Sequence, residues 1–125
     1  MTPETQPSPT IRVDRQDNIA VIVPSAIETA REHMLEYAST AALAPLRADP
    51  PRGIVMDLSQ VDNFGSLFLA FLIRCHALAK QQGIRMVVAG ASARAHEVLH
   101  LTALDTLWDF YQDDTEALRA VGSSA

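Results

Sequence analysis

Ile54-Val55-Met56 is apolar at consecutive positions, and the polar turn behind it leads into an apolar helical run that opens at Ser66. A strand with one face in water alternates apolar and polar residues, whereas a strand without alternation is covered on both faces. A doubly covered strand that feeds a helix confines the chain to layers, a central sheet with helices packed against it. At 125 residues there is enough chain for one hydrophobic core and too little for two.

The remaining segments fit that plan. Residues 11–15 alternate as a half-exposed strand does, Gln16-Asp17-Asn18 supplies a turn, and residues 19–23 read as a more buried strand, so the two make a hairpin. Pro24 is expected to break the second strand. From Ser25, a candidate cap, to about residue 44, Ile27, Ala30, Met34, Leu35, Ala38, Ala41 and Ala42 recur at helical spacing. Pro45 is expected to end or kink that helix, with loop over 48–53. A second helix spans 66–82 and stops at Gly83, and 84–89 form another buried strand. Ser92 caps a short helix through Leu101, and 107–111 form a last short strand. Asp113-Asp114-Thr115-Glu116 places acids at the start of a terminal helix reaching Val121. The order ββαβαβαβα predicts an α/β fold whose mostly parallel sheet is opened by a hairpin. Residues 1–10 and 121–125 read as flexible tails around one domain at 11–120.

Composition removes several function classes. Hydrophobic residues make up 48% and charged residues 20%, a globular balance. The net charge of −5 comes without a basic patch to neutralise phosphates, so no nucleic-acid partner is expected. The single cysteine, Cys75, cannot form an intramolecular disulfide and lies in an apolar helical stretch, where packing is expected rather than reactivity. The first nine residues have neither the basic nor the apolar region of a signal peptide, and no apolar run reaches the length of a membrane span. A cytoplasmic protein without membrane insertion is the expectation. No glycine-rich dinucleotide fingerprint and no phosphate-loop Lys-Ser/Thr follows a strand, and no cofactor is expected.

Ser66 is the first candidate for function. As a helix N-cap its hydroxyl would accept from backbone N–H groups and be worth ~1 kcal/mol over alanine. As a phosphorylation site it would carry a dianion at the positive end of the helix dipole, where the fold tolerates it and a docked partner does not. The residues around it suggest a surface for such a partner. Phe64, Leu67, Phe68, Leu69, Phe71 and Leu72 make the helix apolar on every side. If Leu69, Leu72, Ile73, His76 and Ala79 face the core, then Leu67, Phe68 and Phe71 point outward and form a docking patch with Asn63, Phe64 and Gly65. A second packed helix covering them is the alternative.

His96-Glu97-Val98-Leu99-His100 has the His-Glu-x-x-His spacing of zinc metalloproteases, two imidazoles on one helix face with a carboxylate between them. Catalysis also needs a third ligand and a cleft. His33 and His76 lie in earlier helices, and Val98, Leu99 and Leu101 are needed for core packing, so no metal site is assigned. Asp57 and Asp62 could form a carboxylate pair, but an aspartate at a strand end more often accepts from loop N–H groups. No Gly-x-Ser-x-Gly elbow supports a serine hydrolase, and no catalytic residue is assigned.

Residues 53–90, with their continuation through Trp108, resemble a STAS domain of the anti-sigma-factor antagonist type. Residues 54–61 look like the family's strand ending in Asp-Leu-Ser. Gly65-Ser66-Leu67-Phe68-Leu69-Ala70 occupies the place of its Asp-Ser-Ser-Gly-Leu-Gly helix start, and residues 98–108 are similar to its Leu-x-Leu-Thr-Gly-Leu-Asp-x-Leu-Phe segment. The resemblance covers about residues 11–120 and implies a STAS-like fold and a non-enzymatic cytoplasmic regulator. It implies a partner that is an anti-sigma factor or a histidine-kinase-like serine kinase, and phosphorylation at the matching serine, Ser66. The chain departs from the motif where Gly65 replaces the aspartate, Leu67 the second serine, and Phe68 and Ala70 the glycines. The loop Pro24-Ser25-Ala26-Ile27 lacks the acid often found there. Those departures suit the alternative that such domains also fill, a constitutive subunit of a signalling scaffold or lipid-transport complex.

Overall fold

The structure, a computed structural model, describes residues 10–25, 32–62 and 65–122. Strands β1 (Thr10–Gln16) and β2 (Ile19–Ser25) form the opening hairpin, joined at Asp17 and Asn18, whose φ of 56° and 59° are those of a tight two-residue turn. Helix α1 (Glu32–Ala48) crosses to β3 (Gly53–Asp57), α2 (Ser66–Gln82) to β4 (Arg85–Ala89), and α3 (Ala93–Leu101) with a 3-10 turn (Leu104–Thr106) to β5 (Phe110–Tyr111). Helix α4 (Asp114–Gly122) closes the described chain. The five strands lie in sequence order, antiparallel between β1 and β2 and parallel thereafter.

That order decides which layer each helix joins. Right-handed crossovers that always step the same way along a sheet put their helices on one face. Leu35, Leu43 and Leu46 of α1, Phe68, Phe71 and Leu72 of α2 and Leu99 of α3 accordingly pack on Ala20, Ile22, Ile54, Met56, Met86 and Val88. The alternate strand residues Ile19, Val21, Val23, Val55, Val87 and Ala89 face the other way and meet Ala117 and Val121 of α4. Both faces of β2, β3 and β4 are therefore dry, which is why these strands show no alternation.

Some boundaries differ from the sequence reading, each for a local reason. Pro24 does not break β2. It lies beyond Ile22, the last residue paired to β3, and faces only Ile11 across the antiparallel pair. Ser25 belongs to that strand, and the helix start expected after it falls on residues 26–31, outside the described residues. Pro45 lies inside α1, which continues to Ala48 and donates from Asp49 N–H to the Pro45 carbonyl at 2.9 Å. The last strand is shorter than expected because residues 104–106 coil first and Trp108 turns into the core. Its indole N–H donates to His76 Nδ1 at 3.1 Å, tying the end of the fold to α2. Leu101, expected in the core, is 78% exposed. Gly83 caps α2 with φ of 67°, as expected.

Candidate functional site

Strand β3 ends at Asp57, and the chain turns sharply after it. Leu58 N–H donates to the Ala89 carbonyl, Ser59 N–H to Asp57 Oδ1 at 2.8 Å, and Val61 N–H to the Leu58 carbonyl. Asp57 thus does what an aspartate at a strand end was expected to do. Gly90 closes the turn from the neighbouring strand with φ of 70°; a Cβ there would sit 3.1 Å from that of Ser59. This turn aims the following segment toward α2. Asn63 and Phe64, expected in the partner surface, lie outside the described residues.

Helix α2 opens one residue earlier than a serine cap requires. Gly65 holds the cap position with extended φ and ψ of −108° and −161°, its carbonyl accepts from Leu69 N–H at 3.1 Å, and Ser66 is the first helical residue. The expected capping role of Ser66 is therefore not played. The side chain of Ser66 is exposed, and no side-chain bond caps the helix. No acidic residue occupies the first turn, so nothing on the helix compensates the positive end of its dipole. Arg94 of α3 reaches the preceding loop, 3.9 Å from Asp62, so Asp62 neighbours a cation rather than Asp57.

The expected patch separates into two faces. Gly65 and Leu67 are exposed, Leu67 at 43%, and with Ala70 and Ile73 they form an outward stripe. Phe68 and Phe71 are buried at 0% and 2% and stack with ring centroids 5.7 Å apart, so they cannot belong to a partner surface of the folded protein. Ile73, expected inside, is exposed. The stripe Phe68, Phe71, Leu72, Cys75, Leu78 and Ala79 faces the sheet and α1 instead. A helix turns about 100° per residue, so an apolar run on every side leaves its rotation undetermined until α1 is in place. A shallow groove between α1 and α2 flanks the outward stripe, lined by Leu35, Glu36, Ser39, Leu67 and Arg74, where Arg74 donates to Ser39 Oγ at 2.7 Å.

Cys75 is buried, and desolvation pushes its thiol up to about 12, leaving it protonated and inert. In the His-Glu-x-x-His segment, His96 packs on Phe110 with centroids 4.9 Å apart and His100 Nδ1 lies 2.9 Å from Asp105 Oδ2. Among the described residues no three His, Cys, Asp or Glu side chains gather as a metal would need. The segment is a packing helix whose buried Leu99 sits on the sheet.

One constellation escaped the sequence reading. The carboxyl of Asp114, in the first turn of α4, hydrogen-bonds that of Asp57, while its Oδ1 is buried with no partner among the described residues. Burial, then the Asp57 carboxylate, push Asp114 up to about 7. Burial also pushes Asp57 upward, but hydrogen bonds from Asp114 and Ser59 and the charge of Arg12 outweigh it, and its net shift is downward. One proton is shared between two carboxyls at the carboxyl end of the sheet. The available signal was topological, since parallel strand ends and following helix starts collect at one edge.

The family model described as "Mlab, STAS domain" matches residues 11–109, and the chain belongs to the STAS domain family. An anti-sigma-factor antagonist (STAS) domain protein from Planctomyces limnophilus is 32% identical, with a TM-score of 0.79 over 91% of this chain and 99% of that one. An anti-sigma factor antagonist from Mycobacterium paratuberculosis is 28% identical, with a TM-score of 0.75 over 93% of this chain and 96% of that one. A chain of the stressosome, described as a signal integration and transduction hub, shares the fold at 16% identity and a TM-score of 0.73, over 89% of this chain and 96% of that one. No curated protein matches. The protein is thus an anti-sigma-factor-antagonist-like STAS domain. Among the described residues no helix is long and apolar enough to cross a membrane.

Proposed function

We propose that this protein is a non-enzymatic, cytoplasmic regulator that binds an anti-sigma factor or a histidine-kinase-like serine kinase through the surface around Ser66, and that phosphorylation of Ser66 releases the partner. The observation that carries the reading is the hydroxyl itself, exposed on the first residue of a helix that has no acid in its first turn and no side-chain cap. A phosphate there is favoured by the helix terminus and places about −1.5 to −2 charge beside the exposed Leu67, where a docked partner would have to desolvate it. The 32% identity to an anti-sigma-factor antagonist supports the partner class.

The test has two stages. Intact mass of the chain, with and without a co-expressed serine kinase of its own host, should differ by one phosphate located at Ser66. Titration with the anti-sigma partner should then show wild type and Ser66→Ala binding alike and Ser66→Asp more weakly. Equal affinity for all three forms sinks the switch.

A constitutive role in a larger assembly is the second reading, supported by the exposed apolar stripe Leu67, Ala70 and Ile73. It requires permanent co-purification and no phosphate at Ser66, so the same mass measurement separates the two.

A further inference from the structure

Among the described residues the strand order leaves two edges, and they are unequal. β5 has two residues, whereas β1 has seven and presents its outer side beyond β2. A long edge strand is a template for another strand unless its side chains forbid pairing. On β1 the charged side chains are Arg12, Asp14 and Arg15: Arg12 and Asp14 lie two residues apart on one face, 3.1 Å from each other and well exposed, while Arg15, on the other face near the strand's end, donates to Asn18 and lies 3.7 Å from Asp49. On the opposite face Ile11 and Val13 are only partly buried against the core. They line an open apolar groove with Ala38, Ala41, Ala42 and Pro45 of α1.

We propose that β1 is a homodimer interface, in which two copies of this chain pair their β1 strands antiparallel about a two-fold axis at Val13. The charges select both occupant and register. In that register Arg12 of each copy faces Asp14 of the other, and Val13 faces Val13, so the face carries two alternating cross-strand ion pairs. Moving the axis to residue 12 sets Arg12 against Arg12, and moving it to residue 14 sets Asp14 against Asp14; both oppose like charges directly. An edge protected against all pairing needs charges that repel in every register; here axes at residues 12, 14 and 15 oppose like charges, whereas the axis at Val13 opposes unlike ones and sets Arg15 against Ile11. Directly opposed residues share a sheet face, so the two α1 helices come to lie on the same side. The small side chains of Ala38, Ala41 and Ala42 leave room there for the second copy, and the two half-open grooves become one covered apolar strip. The product is a continuous ten-stranded sheet, twice the five strands of each copy.

Sedimentation equilibrium of the full chain from roughly 5 to 500 µM spans the range expected for an interface of this modest size. Wild type should dimerise within that range. Arg12→Asp and Asp14→Arg should each weaken the dimer at least about tenfold, because each opposes like charges in both symmetry-related positions. The double variant Arg12→Asp/Asp14→Arg should dimerise again. An equimolar mixture of the two single variants should form a heterodimer, which also shows that both are folded. A wild type that stays monomeric throughout, and so leaves the edge to some other occupant, overturns the proposal. So does a dimer indifferent to both single reversals.

Discussion

Helices α2 and α3 each have a serine at their start, and the two serines have different work. Ser92 holds the cap position of α3, and its hydroxyl accepts from Ala95 N–H at 3.1 Å while its carbonyl accepts from His96 N–H. Ser66 stands one residue further on, because Gly65 takes the cap position of α2 without any side-chain bond. One residue along a helix start thus separates a hydroxyl consumed by the fold from one left to solvent. Serine at a helix start is therefore structural or available according to its position, which depends on how the preceding loop enters.

The largest test of this contrast concerns the residues behind Ser66. Phe68→Ala should destabilise by about 3–5 kcal/mol in chemical denaturation, as loss of a buried aromatic does, whereas Leu67→Ala should stay near 0.5 kcal/mol. Similar losses at both positions would remove the division of α2 into a core face and an outward stripe.

A third helix start, that of α4, broadens the comparison to acids. Asp114 holds its proton up to about pH 7 in the folded protein against 3.8 ordinarily, so the stability it contributes is complete below about pH 4 and is lost as pH rises toward 7. Asp57, shifted downward, acts in the opposite sense, its contribution present above 3.8 and lost as pH falls further. Thermal midpoints from pH 4.5 to 8 should therefore decline by a few degrees, roughly 1 kcal/mol after solvent screening of this half-buried group. Asp114→Asn, which keeps a donor toward Asp57 but no charge, should flatten the decline. A wild-type profile parallel to that of the variant would show that no proton is shared.

Smaller effects separate the two serines directly. Ser92→Ala should cost about 1 kcal/mol, and Ser66→Ala less than about 0.5 kcal/mol. Equal losses would return Ser66 to a capping role. Smallest of all, Ser66→Asp should leave stability unchanged or raise it by about 0.3–1 kcal/mol through the helix dipole, so that any weakened partner binding reflects the interface.

Much of the architecture was legible in the sequence because it rests on local signals. Unalternating strands announced two covered faces, the αL cap at Gly83 ended α2, and Ser92 and the acids of residues 113–116 marked helix starts. Signals of that kind depend on neighbours a few residues apart. Where a residue's role depended on a distant element, the sequence was silent or misleading. Rotation of α2 was set by α1 and the sheet, and so Phe68 and Phe71 went inside while Leu67 and Ile73 stayed out. The meeting of Asp57 with Asp114 depended on the closing of α4 against the sheet edge. A STAS-type layering and a serine at the start of α2 follow from local signals along the chain. That the serine is exposed and not a cap depends on the folded chain, because a cap is defined by the angle at which the chain enters the helix.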